Sequence, residues 1–145
     1  MDEILIRRVR NDDADEIIRI EAAITQEPGE LDLRPIIEER SERRGDANFV
    51  AELEGKVVGY MFSSITSGSF GVNKSAWISV LGVDPKFMGQ GIGKKLAETI
   101  FKYYREQGIM DVFTTVKWDY ADQLSFFKTL GFERSDFLHL RKGLD

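Results

Sequence analysis

The sequence predicts an α/β fold of the α+β mixed-sheet kind, with elements in the order β-α-α-β-β-β-α-β-α-β(β). Three observations predict it. Two neighbouring apolar runs, Asn48 to Leu53 and Lys56 to Thr66, meet at Glu54-Gly55, the pattern of an antiparallel hairpin. The apolar run Ser75 to Val83 leads through a glycine-rich turn into the amphipathic stretch Lys94 to Gln107 and then into the apolar run Ile109 to Val116. Strand, helix and strand in that succession form a right-handed parallel crossover. Finally, 145 residues suit one domain with one core, residues 1–145, and no repeat, low-complexity tract or linker interrupts them.

Each element has a local reason. Ile4 to Val9 is a short apolar strand with arginines mixed in. Asn11-Asp12-Asp13 supplies N-cap residues for a helix carrying Ile17, Ile18, Ile20, Ala22 and Ile24 at helical spacing, which Pro28-Gly29 ends. A second helix runs from about Asp32 to Arg44, with Leu33, Ile36 and Ile37 on its apolar face and Gly45 as its stop. Its outer face mixes acids and arginines and reads as a solvated surface. After the hairpin, Ser67 to Lys74 is a polar loop. Asp84-Pro85 stops the strand that follows, because Pro lacks an N–H and drives the preceding residue out of the α region. Gly108 closes the helix that ends at Gln107. Asp119 to Leu130 is a last helix, capped by Asp119 and ended by Gly131, and Phe132 to Arg141 returns as one or two short strands.

Composition excludes several classes of function. Hydrophobic residues make up 42% and charged residues 31%, which argues against disorder. No apolar run reaches the roughly 18 residues needed to span a membrane, and Met-Asp-Glu-Ile-Leu-Ile-Arg-Arg lacks the order of a signal peptide, so a cytoplasmic location and no membrane partner are expected. With no cysteine and a single histidine, disulfides, thiolate nucleophiles and the usual metal sites are absent from the reading. A net charge of −5 disfavours nucleic acid as a partner and suits a cationic one.

The chemistry concentrates between Leu81 and Leu96. A strand, the glycines Gly89, Gly91 and Gly93, and a helix N-terminus make an anion site: the backbone comes close to the ligand, several N–H groups converge, and the helix dipole adds positive potential. The Walker pattern fails, because Met88 stands where its first Gly belongs and Lys95 where Ser or Thr should follow the Lys. The dinucleotide fingerprint fails too, meeting Lys94 or Leu96 where its third small residue belongs. What remains, Val-Asp-Pro followed by Gly-Gln-Gly-Ile-Gly, resembles the coenzyme A pyrophosphate loop of the GNAT superfamily of N-acetyltransferases, usually Arg/Gln-x-x-Gly-x-Gly/Ala. Gly91 and Gly93 match, and the first position is Met88. A second stretch, Leu124-Ser-Phe-Phe-Lys-Thr-Leu-Gly-Phe132, resembles the family's closing motif and matches its Leu-Gly-Phe end. The two motifs sit at the family's spacing, and the element order, read independently, agrees with its fold.

The resemblance implies a direct transfer from acetyl-CoA to a primary amine of a protein, peptide or small-molecule acceptor, with no enzyme nucleophile. It implies that Leu81, Gly82 and Val83 offer backbone groups to the pantetheine arm, which adds like a strand at a splayed edge. Backbone N–H groups from Met88, Gly89, Gln90, Gly91, Ile92, Gly93 and Lys94 then hold the pyrophosphate, with Lys94 and Lys95 adding charge. It also puts Tyr120 and Phe127 of the closing helix at the coenzyme and makes a homodimer a common assembly. The chain departs from the family where the acid and base usually stand. Phe127 occupies the place of a thiolate-protonating Tyr, and Trp77 and Thr115 occupy strand positions where some relatives carry a Glu. Three readings stay open: transfer without a dedicated acid, transfer with Tyr120 as substitute acid, or a non-catalytic module that binds and senses acyl-CoA. Glu21, Glu27 and Glu30 are base candidates beside the turn between the first two helices, while His139, Trp77 and Trp118 read as structural or surface residues.

Overall fold

The computed structural model describes residues 3–25, 32–67 and 73–145. The expected helix stop at Pro28-Gly29, the base candidates Glu27 and Glu30, and most of the loop between Ser67 and Lys74 lie outside these residues. The chain divides into two compact units, Met1–Thr115 and Val116–Asp145.

The first unit holds β1 (Leu5–Arg8), α1 (Ala14–Thr25), α2 (Arg34–Glu42), β2 (Asn48–Leu53), β3 (Lys56–Thr66), β4 (Ser75–Val83), α3 (Ile92–Glu106) and β5 (Val112–Thr114). The five strands form one sheet in chain order, antiparallel from β1 to β4 and parallel between β4 and β5. The β2–β3 hairpin turns at Glu54 (φ 51°) and Gly55 (φ 79°); two left-handed residues in a row make a turn whose twist matches that of the strands it joins. On one side of the sheet, Val9, Ile17, Ile20, Leu33 and Ile37 pack with Val50, Tyr60 and Phe62. α3 lies against β2, β3 and β4, burying Ile92, Leu96, Ala97, Ile100 and Tyr104. Gly59 is what lets it approach: a Cβ there would stand 2.9 Å from the Ile92 Cγ2 atom.

An ion pair joins the start of the fold. The Arg7 guanidinium donates two bonds to the Asp13 carboxylate (2.9 and 2.8 Å), which also accepts from the Arg10 amide at 2.7 Å, and Arg7 donates a further bond to Glu52 on β2. Burial would raise the Asp13 carboxyl, but the bonds from Arg7 and Arg10 outweigh it and hold it below the usual carboxylate range.

Two features of β4 shape its neighbourhood. Opposite β3 its register runs from Phe62–Val80 directly to Ser63–Ile78, so Ser79 is an extra residue, a β-bulge. Opposite β5 only Ala76, Trp77 and Ile78 are paired. The strand expected over Ile109 to Val116 is therefore much shorter. Its beginning is consumed in closing α3, where the Ile109 amide bonds Tyr104 O at 2.9 Å, and its ladder ends where the bulge bends β4.

The second unit contains α4 (Ala121–Thr129). Its N-cap is Tyr120 rather than the expected Asp119, and the Leu124 amide makes an i→i−4 bond to Tyr120 O at 3.0 Å. The return strand over Phe132 to Arg141 does not form. The Phe132 amide is spent on Phe127 O (3.1 Å), and charges at Glu133, Arg134, Asp136 and Arg141 leave the segment no continuous apolar face to bury. Its Leu138 and Leu140 stand exposed.

Candidate functional site at the end of β4

The site starts at Asp84, which is buried. Its amide continues the β3 ladder to Val58 O (2.8 Å), and its carboxylate accepts from the Lys86 amide and from Arg19 of α1, each at 3.1 Å. Those bonds fix the direction in which the chain leaves the sheet. Pro85–Phe87 makes one tight turn, Met88 is extended, and Gly89 (φ 82°) and Gly91 (φ 79°) take left-handed conformations that a side chain would strain. No atom lies within 4 Å of a Cβ built on either glycine, so the loop faces open space.

α3 opens from Gly91. The first i→i−4 bond runs from the Lys95 amide to Gly91 O at 3.0 Å, which leaves the amides of Ile92, Gly93 and Lys94 without an intrahelical acceptor. Those groups and the helix dipole give a concentrated positive end. Gly93 belongs to the helix rather than to the loop, as does Ile92, whose buried side chain anchors the turn while its amide stays at the helix mouth. Met88, Gly89, Gln90 and Gly91 form the exposed rim, and Lys94 and Lys95 are exposed on the first turn.

Among the described residues the strand edge beside this loop has no neighbouring strand. Because the Asp84 amide bonds to β3, alternation gives Gly82 the same direction and turns the backbone groups of Leu81 and Val83 the other way, past the end of β5. Gly82 therefore differs from the expectation placed on it: its backbone serves the β3 ladder, and its role is steric. A Cβ on Gly82 would meet the Tyr60 hydroxyl at 2.7 Å and the ring at 2.8 Å. The Tyr60 phenol lies across the bare backbone of Gly82 and donates its proton to the Glu21 carboxylate on α1. Burial pushes the Tyr60 hydroxyl far above the ordinary tyrosine range, and the Glu21 carboxylate adds to the shift. Sequence reasoning missed Tyr60, because a tyrosine inside an apolar strand carries no mark that separates it from ordinary core.

In the second unit, Tyr120 is half-exposed with Lys117 Nζ 5.4 Å from its ring centroid. Phe127 is buried, packed edge-on against Phe126 and Phe132. Trp77 stacks on Phe113 with ring centroids 4.9 Å apart, whereas Trp118 and His139 are exposed. Among the described residues no helix is long and apolar enough to cross a membrane.

Comparison with known proteins gives the chain a family and its fold a set of likenesses. The model of the acetyltransferase (GNAT) family matches residues 14–132. A mycothiol acetyltransferase of Amycolatopsis mediterranei is 30% identical over 138 residues, covering 88% of this chain and 45% of its own length. One from Saccharomonospora viridis is 32% identical over 113 residues, covering 74% of this chain and 37% of its own. The chain thus spans less than half the length of these two relatives. Among solved structures, an aminoglycoside acetyltransferase from an uncultured soil metagenomic sample, in complex with trehalose, superposes with a TM-score of 0.78 at 25% identity, covering 98% of this chain and 97% of that one. Aminoglycoside N-acetyltransferase AAC(6')-Iy in complex with CoA gives 0.83 at 17% identity, covering 99% and 96%, a likeness of fold.

Proposed function

The chain belongs to the acetyltransferase (GNAT) family, and from that premise we propose that residues 1–145 act as one domain transferring the acetyl group of acetyl-CoA to a primary amine. The observation that carries the proposal is the pairing of two unsatisfied backbone surfaces within one unit. The amides of Ile92, Gly93 and Lys94 suit a diphosphate, and the outward groups of Leu81 and Val83 suit an amide-bearing arm laid beside β4. Met88, where the family's loop usually begins with Arg or Gln, costs little in this arrangement, because main-chain donors supply most of the grip. Lys94 and Lys95 add screened positive charge. The rim residues Gly89, Gln90 and Gly91 belong to this proposed coenzyme site; by resemblance to the family, coenzyme contacts for Tyr120 and Phe127, a cytoplasmic location and assembly as a homodimer are also proposed.

In this mechanism the neutral amine attacks the thioester carbonyl, the C–N bond forms, the C–S bond breaks and coenzyme A leaves as thiolate. The Val83 amide, turned outward at the open edge, is the donor proposed to polarise the carbonyl oxygen. Phe127 has no proton to give, so Tyr120 or water protonates the thiolate.

Calorimetric titration with acetyl-CoA tests the reading. The wild-type chain is expected to bind, and Gly91→Glu, which brings a carboxylate and a strained side chain to the phosphate loop, is expected to lose at least tenfold in affinity. Absence of binding at millimolar acetyl-CoA would remove the proposal. The buried, proton-free Phe127 favours a second reading, an acyl-CoA sensor. Tight binding without thiol release across protein, peptide, polyamine, aminoglycoside and amino-acid amines would select it.

A further inference from the structure

The resemblance leaves the reaction without a base, since Trp77 and Thr115 stand where a carboxylate is wanted. One carboxylate does approach the opened edge of β4. Glu21 lies in the penultimate turn of α1, half-buried, and its Oε2 accepts a hydrogen bond from the Tyr60 hydroxyl. Among the described residues its Oε1 has no partner. Tyr60 in turn rests on Gly82, between the two residues whose backbone groups face the open edge. A larger residue at 82 would push the phenol, and the carboxylate it holds, away from this strand.

We propose that Glu21 receives the ammonium form of the acceptor and takes its proton, with Tyr60 as the positioning residue that aims the carboxylate; this rests on the acetyltransferase reading above. The acceptor class is accordingly a basic amine, cationic before it reacts. R–NH₃⁺ passes one proton to Glu21. The freed lone pair forms the C–N bond, the C–S bond breaks, the nitrogen sheds its second proton to solvent or to the departing thiolate, and Glu21 returns its proton to water. Atoms and charge balance with no further reactant.

The surroundings fit the assignment. Tyr60, held strongly on the protonated side, stays a donor and cannot itself act as the base. The other charged groups on this face are engaged. Arg19 pairs with Asp84, which also bonds the Lys86 amide, and Glu16 accepts the Val57 amide at 2.7 Å. Among the described residues Glu21 is the carboxylate held by the Tyr60 phenol that rests on Gly82, and it keeps an oxygen to spare, whereas Glu16 is turned to the β3 backbone. A hydrogen-bonded acceptor was needed for the buried phenol in any case, but a carbonyl or hydroxyl would have met that need without placing a charge beside the edge.

The experiment follows thiol release from acetyl-CoA against pH for wild type, Glu21→Gln, Glu21→Asp and Tyr60→Phe. The acceptors are spermidine, sisomicin, a lysine peptide and the weakly basic trifluoroethylamine, and acetyl-CoA affinity is measured calorimetrically on every variant. Glu21→Gln is expected to keep the coenzyme affinity and to lose about 10²–10⁴-fold in kcat/KM at neutral pH on the strongly basic amines. The loss should shrink as rising pH deprotonates the amine unaided, and be small on trifluoroethylamine, which is already neutral. Glu21→Asp should recover part of the rate, and Tyr60→Phe should lose about tenfold with a displaced pH limb. A Glu21→Gln chain that matches wild type at all pH values, or loses equally on basic and weakly basic amines, overturns the assignment and leaves the acetyltransferase reading intact. If wild type binds acetyl-CoA but turns over no amine, the assignment and the transferase reading fall together. If wild type does not bind acetyl-CoA, the coenzyme site itself fails first.

Discussion

Tyr120 is one of the two proton sources proposed for the departing thiolate, the other being water. Its hydroxyl is the substitute proposed for the missing one at Phe127, and it caps α4 with its ring half in solvent. Tyr120→Phe keeps the ring and the backbone cap and removes one proton. It is expected to lower thiol release by about 10²-fold at neutral pH while leaving acetyl-CoA affinity unchanged. Turnover equal to wild type across the whole pH range would retire the role. At this scale the sequence was readable where chemistry forces a residue type. Gly89 and Gly91 are glycines because their backbones are left-handed, and the spacing of such residues is visible in one dimension. The Tyr60–Glu21 contact was not visible, because it joins residues 39 apart through packing that neither side chain's neighbours announce. Gly82 was expected, with Leu81 and Val83, to offer backbone groups to the coenzyme arm; what no pattern announced is that its missing side chain makes room for a phenol.

Among the elements, the junction of β1 and α1 has the clearest energetic content. Asp13 is nearly enclosed, receives both arms of Arg7 and caps the Arg10 amide. Because its carboxyl is held below the usual range when folded, the stability it contributes is fully present above the unfolded carboxylate pKa. It is lost as pH falls through the folded value. Asp13→Asn retains an oxygen for the Arg10 amide but surrenders the charge. It is expected to cost about 1–3 kcal/mol in denaturant unfolding at neutral pH and to flatten the acid limb of stability against pH. An unchanged acid limb would show that other carboxylates set it. Element ends followed the strength of their local markers. The hairpin strands matched to the residue, because Glu54-Gly55 leaves little choice of turn. α3 started two residues before its expected Lys94, since a left-handed Gly91 serves as N-cap and nothing in the residue types says whether Ile92-Gly93 is loop or helix.

For the whole molecule, the architecture was legible because it follows from patterns that repeat along the chain: alternating apolar runs, a two-residue hairpin turn and a glycine-bounded crossover. What was not legible were features set by partners. Ile109 to Val116 and Phe132 to Arg141 both have strand-like composition, yet the first keeps only its middle three residues in the sheet and the second none. A strand exists only where another backbone offers complementary groups, and composition does not record where that offer stops. Here it stops at Ser79. That one surplus residue sets the phase of β4 and keeps its last four residues out of the parallel ladder that Ala76, Trp77 and Ile78 make with β5. Deleting it would restore an uninterrupted ladder, so a chain shortened by Ser79 is expected to keep its circular dichroism spectrum while losing acetyl-CoA affinity, and wild-type affinity in that chain would trace the slot to another cause. Under that expectation the shortened sheet would be better knitted and closed along its edge, which makes the open slot a consequence of one unit of miscounting between two strands.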